Sequence, residues 1–368
     1  MKNILILTSS LCIGGAERVI ANLARHMDRN HFNLTICHLK ERGEIGDELM
    51  DIGIRVIGIP QETSGFGRYL SFRHVRRVVL EHNIDLLHTH TTYSLVDGAL
   101  VCLRGSRAKM VHTFHFGNYP KYVKRYMWME RLFGRIPDRL VAVGVEQREA
   151  IRATYGFADD RIVTISNGVE PIRASIDPVW KSKLADIGRP LIGTICTLTE
   201  QKGLGYFLEV AKKMVDQGSN AYFVVVGDGN LRTFLEERSR QLKLDDRIVF
   251  TGWMKNATSA ILPLFDVFVQ SSLWEAMSMA VLEAMAAARP VVVTDVGDNR
   301  HVVMNGHTGF VVPPKNVDAM VNAINRLMQS PEHRKQLGEA GLRRFEENYS
   351  ASVMTRRYED LYREVLAG

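Results

Sequence analysis

Two glutamates separated by seven residues, Glu275 and Glu283, bracket a segment that is apolar except for Ser278. Carboxylates beside an anion site accept hydrogen bonds well from sugar or ribose hydroxyls. A helix N-terminus inside such a segment would favour a phosphate there. Two surface glutamates on an amphipathic helix would give the same letters. Upstream, Gln201-Lys202-Gly203 places a lysine after an apolar run, where it could neutralise a diphosphate or simply be solvated. Gly14-Gly15-Ala16-Glu17 follows the first apolar run; its glycines would let a ligand approach the backbone, and the next helix would offer free N–H groups. A plain strand-to-helix turn is the other reading. Gly227-Asp228-Gly229 tempts a dinucleotide assignment, but Arg232 stands where a third glycine belongs, which points to a turn near a nucleotide. Four histidines come in two pairs, His88 with His90 and His112 with His115. No tight pattern of cysteine or carboxylate ligands accompanies them, so structural roles compete with a metal site.

These groups need elements to hold them. Strands are predicted at Asn3–Thr8, Phe32–His38, Ile54–Ile59, Ile84–His88, Lys109–Phe114 and Arg139–Val143. In the second half they are predicted at Pro190–Thr197, Ala221–Val226, Arg247–Thr251, Asp266–Gln270 and Pro290–Thr294. Helical spacing fills the gaps, as in Val317, Met320, Val321, Ile324 and Leu327, and again over Ser352–Leu366. Alternation of this kind makes parallel sheets covered on both faces. Pro171 and Pro178 mark a linker over Val169–Ile187. The expectation is two doubly wound α/β domains, 1–173 with the returning helix 352–368, and 174–351. Ligands in such sheets sit outside the carboxyl ends of the strands, and the default site is a cleft between the two domains.

The 368 residues suit two domains, and 46% hydrophobic with 24% charged residues is ordinary for a globular chain. No apolar run approaches the ~18 residues of a spanning helix. The opening Met1–Leu7 reads as a strand rather than a secretory leader. The scattered Cys12, Cys37, Cys102 and Cys196 fit core positions in a reducing cytoplasm. Residues 1–173 carry 24 Lys and Arg against 18 Asp and Glu, whereas the remainder is balanced. A basic half suits nucleic acid, an anionic membrane or a phosphorylated substrate. It lacks an RNP-like aromatic motif or an arginine run, so no nucleic-acid partner is expected. Tyr119–Arg139 combines six basic residues with Tyr122, Tyr126, Trp128, Leu132 and Phe133. That profile fits either a basic helix at a membrane surface or a cleft-lining helix with its apolar side in the core.

Taken in order and spacing, these pieces resemble the retaining glycosyltransferases of family 4. The resemblance spans nearly the whole chain, and includes Ser166-Asn167-Gly168-Val169, Phe250-Thr251-Gly252-Trp253 and the glycines Gly297, Gly306 and Gly309. It implies the GT-B fold, two facing Rossmann-like domains with a cleft between them. It implies transfer of a sugar from a nucleotide-diphosphate sugar, with UDP the commonest nucleotide, to a saccharide or lipid-linked acceptor in cell-surface polysaccharide or glycolipid synthesis. Catalytic roles fall to His115, which would reach the transferred sugar, and Glu275. Donor binding falls to Gly14, Gly15, Lys202, Gly229, Trp253, Met277, Ser278, Met279 and Glu283, with Lys202 on the diphosphate and Glu283 on the ribose. No cofactor and no metal are implied, and the place is the cytoplasm, peripheral at the inner face of a membrane. Two departures stand out: Thr197 replaces an arginine common in the family, and Ala276 and Ser278 replace glycines. The rival readings are a sugar-nucleotide epimerase on the same architecture and a non-catalytic sugar-nucleotide-binding protein.

Overall fold

The computed structural model describes residues 1–60, 71–185, 187–188 and 190–368. All the strands predicted from periodicity are present, and every paired strand runs parallel to its neighbour. The chain divides into two compact units, residues 1–168 with 351–368, and residues 169–350. The sequence had suggested 173 and 352 for these joints. They fall earlier because Val169 already donates to Tyr349 O at 3.0 Å and bridges Ser350, inside the second unit.

In the first unit the described strands are β1 (Lys2–Thr8), β2 (Phe32–His38), β3 (Arg55–Gly58), β4 (Leu86–Thr89), β5 (Lys109–Phe114), β6 (Arg139–Ala142) and β7 (Ile162–Thr164), in spatial order 3-2-1-4-5-6-7. Ile4 to Leu7 have no solvent exposure, as a strand covered on both faces demands. The short edge strand β7 was not read from the sequence. The helix Ala351–Ala367 returns to this unit and is stitched to it by polar contacts. Glu359 accepts from the backbone N–H of Asp28 at 2.7 Å, Tyr358 meets Thr113 at 3.1 Å, and Arg139 pairs with Glu364.

In the second unit the described strands are β8 (Leu191–Ile195), β9 (Tyr222–Val226), β10 (Ile248–Gly252), β11 (Val267–Gln270), β12 (Val291–Thr294) and β13 (Gly309–Val312), in order 10-9-8-11-12-13. β13 is another edge strand not predicted. Where a linker was expected, Pro178–Ala185 is helical. The order reverses between β8 and β11, which makes that junction the switch point of the sheet.

Candidate active site: one polar cluster in each unit

The second unit's cluster is built at its switch point. After β8 the chain makes a short turn, Glu200–Lys202, and Gly203 takes φ +60°. A side chain there would be strained, and its Cβ would lie 2.2 Å from Ser271 O. This close approach docks the turn onto the loop after β11: Leu273 N–H donates to Gln201 O at 2.7 Å and Ser271 Oγ to Lys202 O at 3.0 Å. The result is an ion pair, Lys202 Nζ to Glu275 Oε1 at 2.5 Å, with side-chain exposures of 20% and 6%. Glu275 also accepts from Ser272 Oγ at 2.8 Å, Gln201 Nε2 at 3.1 Å and Gln270 Nε2 at 3.4 Å. Gln270 is held in turn by Asn299, whose Nδ2 donates to its Oε1 at 3.0 Å. Gly297, at φ +51°, packs so close to Glu275 O that a Cβ would sit 2.4 Å away. A buried carboxylate needs this many donors to offset its lost hydration.

Ser278 caps the helix Met279–Ala286, and Glu283 is half-buried about one turn into it. Met277 and Ser278 are buried. Gly229 follows β9 and Trp253 follows β10, with Trp253 58% exposed. Lys202, Gly229, Trp253 and Glu275 therefore come from the carboxyl ends of four adjacent strands, β8, β9, β10 and β11. Arg232 pairs with Asp228 and Glu236, which explains an arginine where a dinucleotide loop would have glycine.

The first unit's cluster follows the same rule. Gly14 and Gly15 follow β1, His90 follows β4 and His115 follows β5, again adjacent strands. Gly14 is the N-cap of the helix Gly15–His26. The Glu17 carboxylate folds over it, with Oε2 2.4 Å from where a Cβ on Gly14 would be. The chain's own carboxylate thus occupies the helix start that the sequence offered to an anion, and burial pushes that carboxyl up. His88 and His112 lie inside their strands, fully buried. His88 bonds Tyr362 OH at 2.6 Å and Thr113 Oγ1 at 2.8 Å, and His112 bonds Thr89 Oγ1 at 2.8 Å. His115 is half-buried, and its Nε2 lies 3.0 Å from His90 Nδ1. Desolvation holds His112 down to about 3 and His115 to about 4, so both are neutral near pH 7. Among the described residues no group of three His, Cys, Asp or Glu side chains is placed to hold a metal ion.

The sequence named Lys202 and Glu275 without foreseeing that they touch. It missed Gln201, Gln270, Ser272 and Asn299, whose only signal was position beside the carboxyl ends of β8, β11 and β12.

Residues 13–173 match the model of Glycosyltransferase Family 4, and residues 179–344 that of Glycosyl transferases group 1. The chain belongs to the family 4, group 1 glycosyltransferases. It is 27% identical over 332 residues to the Escherichia coli UDP-Gal:alpha-D-GlcNAc-diphosphoundecaprenol alpha-1,3-galactosyltransferase, covering 86% of this chain and 85% of that one. It is 26% identical over 369 residues to the Escherichia coli O-antigen chain mannosyltransferase C, covering 96% and 95%. The fold of the Anabaena protein HepE, solved with UDP, superposes with a TM-score of 0.86 at 19% identity, covering 99% of this glycosyltransferase and all of that chain. The fold is GT-B, with two Rossmann-like units.

Proposed function

We propose that this glycosyltransferase moves a sugar from a UDP-sugar to a saccharide or lipid-linked acceptor, with retention at the anomeric carbon, in cell-surface polysaccharide or glycolipid synthesis. The observation that carries the reading is the Lys202–Glu275 pair at the switch point of the second unit. An ammonium has three donors, and Glu275 engages one, leaving donors for diphosphate oxygens as charge builds on the departing group. Glu283 is assigned to the ribose hydroxyls. Gly229, the exposed Trp253 and the segment Met277–Met279 are assigned to the rest of the donor. The name of the E. coli galactosyltransferase gives a UDP-sugar donor and a diphosphoundecaprenol-linked acceptor, which supports both choices.

Glu275 accepts four hydrogen bonds, which makes it a poor covalent nucleophile. Attack from the front face follows. The bond from the anomeric carbon to the diphosphate oxygen breaks, the acceptor oxygen bonds the same face, and the acceptor proton passes to the departing phosphate oxygen. His115 contacts the transferred sugar and does not attack it. Lys202 does the neutralising, so activity is expected to survive EDTA; complete loss restored by a divalent ion would overturn that part. NMR of the product linkage tests retention, and an inverted linkage contradicts the mechanism. Labelled UDP-sugar incubated without acceptor separates the rivals. Slow release of nucleoside diphosphate supports transfer, sugar interconversion without release supports epimerisation, and binding alone supports a silent protein.

A second reading, of attachment to an anionic membrane surface, is favoured by the helix Lys124–Phe133. Its one fully buried residue is a carboxylate, Glu130, held by Thr92, Tyr119 and Tyr155 at 2.7–2.8 Å. Val123, Trp128 and Leu132 are exposed among Lys124, Arg125, Arg131 and Arg135. Each basic residue near an anionic surface contributes about 1 kcal/mol. No helix among the described residues is long and apolar enough to cross a membrane. Pelleting with anionic but not neutral liposomes, weakened by salt, is expected; equal pelleting with both overturns it.

A further inference from the structure

The loops after β4 and β5 join two imidazoles in one hydrogen bond, His90 Nδ1 to His115 Nε2 at 3.0 Å, with the rings edge to edge, their planes 18° apart and their centroids 5.3 Å apart. One proton lies between these nitrogens. Which ring owns it follows from the far side of His90. That residue is 2% exposed, and its Nε2 is buried without a hydrogen-bond partner among the described residues. If His115 supplied the proton, a neutral His90 would carry its own proton on Nε2, as a buried N–H with no acceptor. If His90 supplies it, Nε2 is a bare lone pair. An orphaned buried donor is the rarer and more costly of the two. A cationic His90 would have the same orphaned donor. Burial and the surrounding His88, His112 and His115 also hold it well below the ordinary imidazole range.

We infer that His90 is a positioning residue, whose Nδ1–H donates to His115 Nε2 and so fixes His115 as the Nδ1–H tautomer, offering that N–H to the substrate.

The geometry keeps the donor ring from turning. The backbone N–H of His90 donates to Leu7 O and to Ser94 Oγ, both at 3.1 Å. The His88 ring lies 4.0 Å from the His90 ring, and His88 is itself fixed at both nitrogens by Tyr362 and Thr113. The bond to His90 is the one hydrogen bond His115 makes among the described residues, so its Nδ1 is left for a ligand. A free histidine side chain in water prefers the Nε2–H tautomer, so the inference runs against the default. Chemically, it makes His115 a neutral donor to a sugar hydroxyl or phosphate oxygen and removes it as the acceptor's base. That consequence rests on the transfer reaction proposed above; the tautomer itself does not.

The test is long-range 1H–15N NMR of the full chain labelled at histidine, with His115 assigned by the signal lost in His115→Asn. A protonated Nδ1 and bare Nε2 at pH 7 are expected. A protonated Nε2, or a cation, overturns the inference whether or not the protein transfers sugar. Removing the donor in His90→Leu should return His115 to mostly Nε2–H. It should also lower kcat about tenfold, the worth of one hydrogen bond, with KM for the donor unchanged. His90→Asn, whose amide N–H can replace the ring donor, should restore both the tautomer and most of kcat. An unchanged kcat in His90→Leu, despite a switched tautomer, would overturn the role assigned to the His115 N–H.

Discussion

The two units bury polar chemistry in opposite ways. The first takes its histidines inside in their uncharged form and raises its buried carboxyls. His88 and His112 are neutral imidazoles that hydrogen-bond hydroxyls, His90 is one that hydrogen-bonds His115, and burial pushes the Asp97 carboxyl up to about 6. Glu130 is also raised, by burial, against the pull of three hydroxyl donors. The second takes in a charge pair, Lys202 with Glu275, and surrounds the carboxylate with Ser272, Gln201 and Gln270. A neutral network is sensitive to protons, whereas an ion pair is sensitive to loss of a partner. The same fold thus gives one unit that responds to pH and one that responds to mutation.

Acidification should separate the units most. The buried histidines have folded values below their unfolded ones, so the unfolded chain binds more protons as pH falls through about 6.5. Stability is then present above that value and is lost toward pH 4.5, by on the order of 8 kcal/mol for three groups that stay neutral in the folded state. Asp97 and Glu130 oppose this loss without cancelling it. Hydrogen exchange should show β4 and β5 opening before β8 and β11; equal opening of both sheets would erase the contrast.

Lys202→Ala should break the second unit instead. It leaves Glu275 buried with its cation gone, at about 3–5 kcal/mol, in addition to removing the donor contact proposed for Lys202. Loss of activity in that variant alone is therefore ambiguous. Combining Lys202→Met with Glu275→Gln removes both charges and should recover most of the urea midpoint while transfer stays absent. If the double variant is as unstable as Lys202→Ala, the orphaned charge is not the cause.

A smaller effect sharpens the first unit. The Asp97 carboxyl is raised in the folded state, so its contribution is full below about pH 3.9 and is lost as pH rises through about 6. Asp97→Asn should therefore stabilise the protein at pH 7.5 by about 3 kcal/mol and do almost nothing at pH 3.5. A gain of equal size at both pH values would point to packing rather than charge.

Sequence periodicity located the strands well because parallel strands buried on both faces read as continuous apolar runs, such as Val291–Val293. It missed Ile162–Thr164 and Gly309–Val312, which are short and lie at sheet edges where the apolar signal is weakest. The motif residues were legible as letters, but their contacts were not. Lys202 and Glu275 meet because β8 pairs with β11, and His90 and His115 meet because β4 pairs with β5. Strand order is a long-range property that local spacing does not encode. The doubly wound pattern held a clue, since its order sets the first strand of a unit beside the fourth.

The helix Ala351–Ala367 also bears on how the chain folds as it is made. Its Tyr358 and Tyr362 complete the hydrogen bonds of Thr113 and His88, yet residues 169–350 come off the ribosome in between. The second unit therefore has all its parts while the first still lacks its covering helix. During that interval the apolar Phe32, buried beside Tyr362 in the finished protein, is open to solvent or to a chaperone. Synthesis rate across the second unit sets how long that exposure lasts.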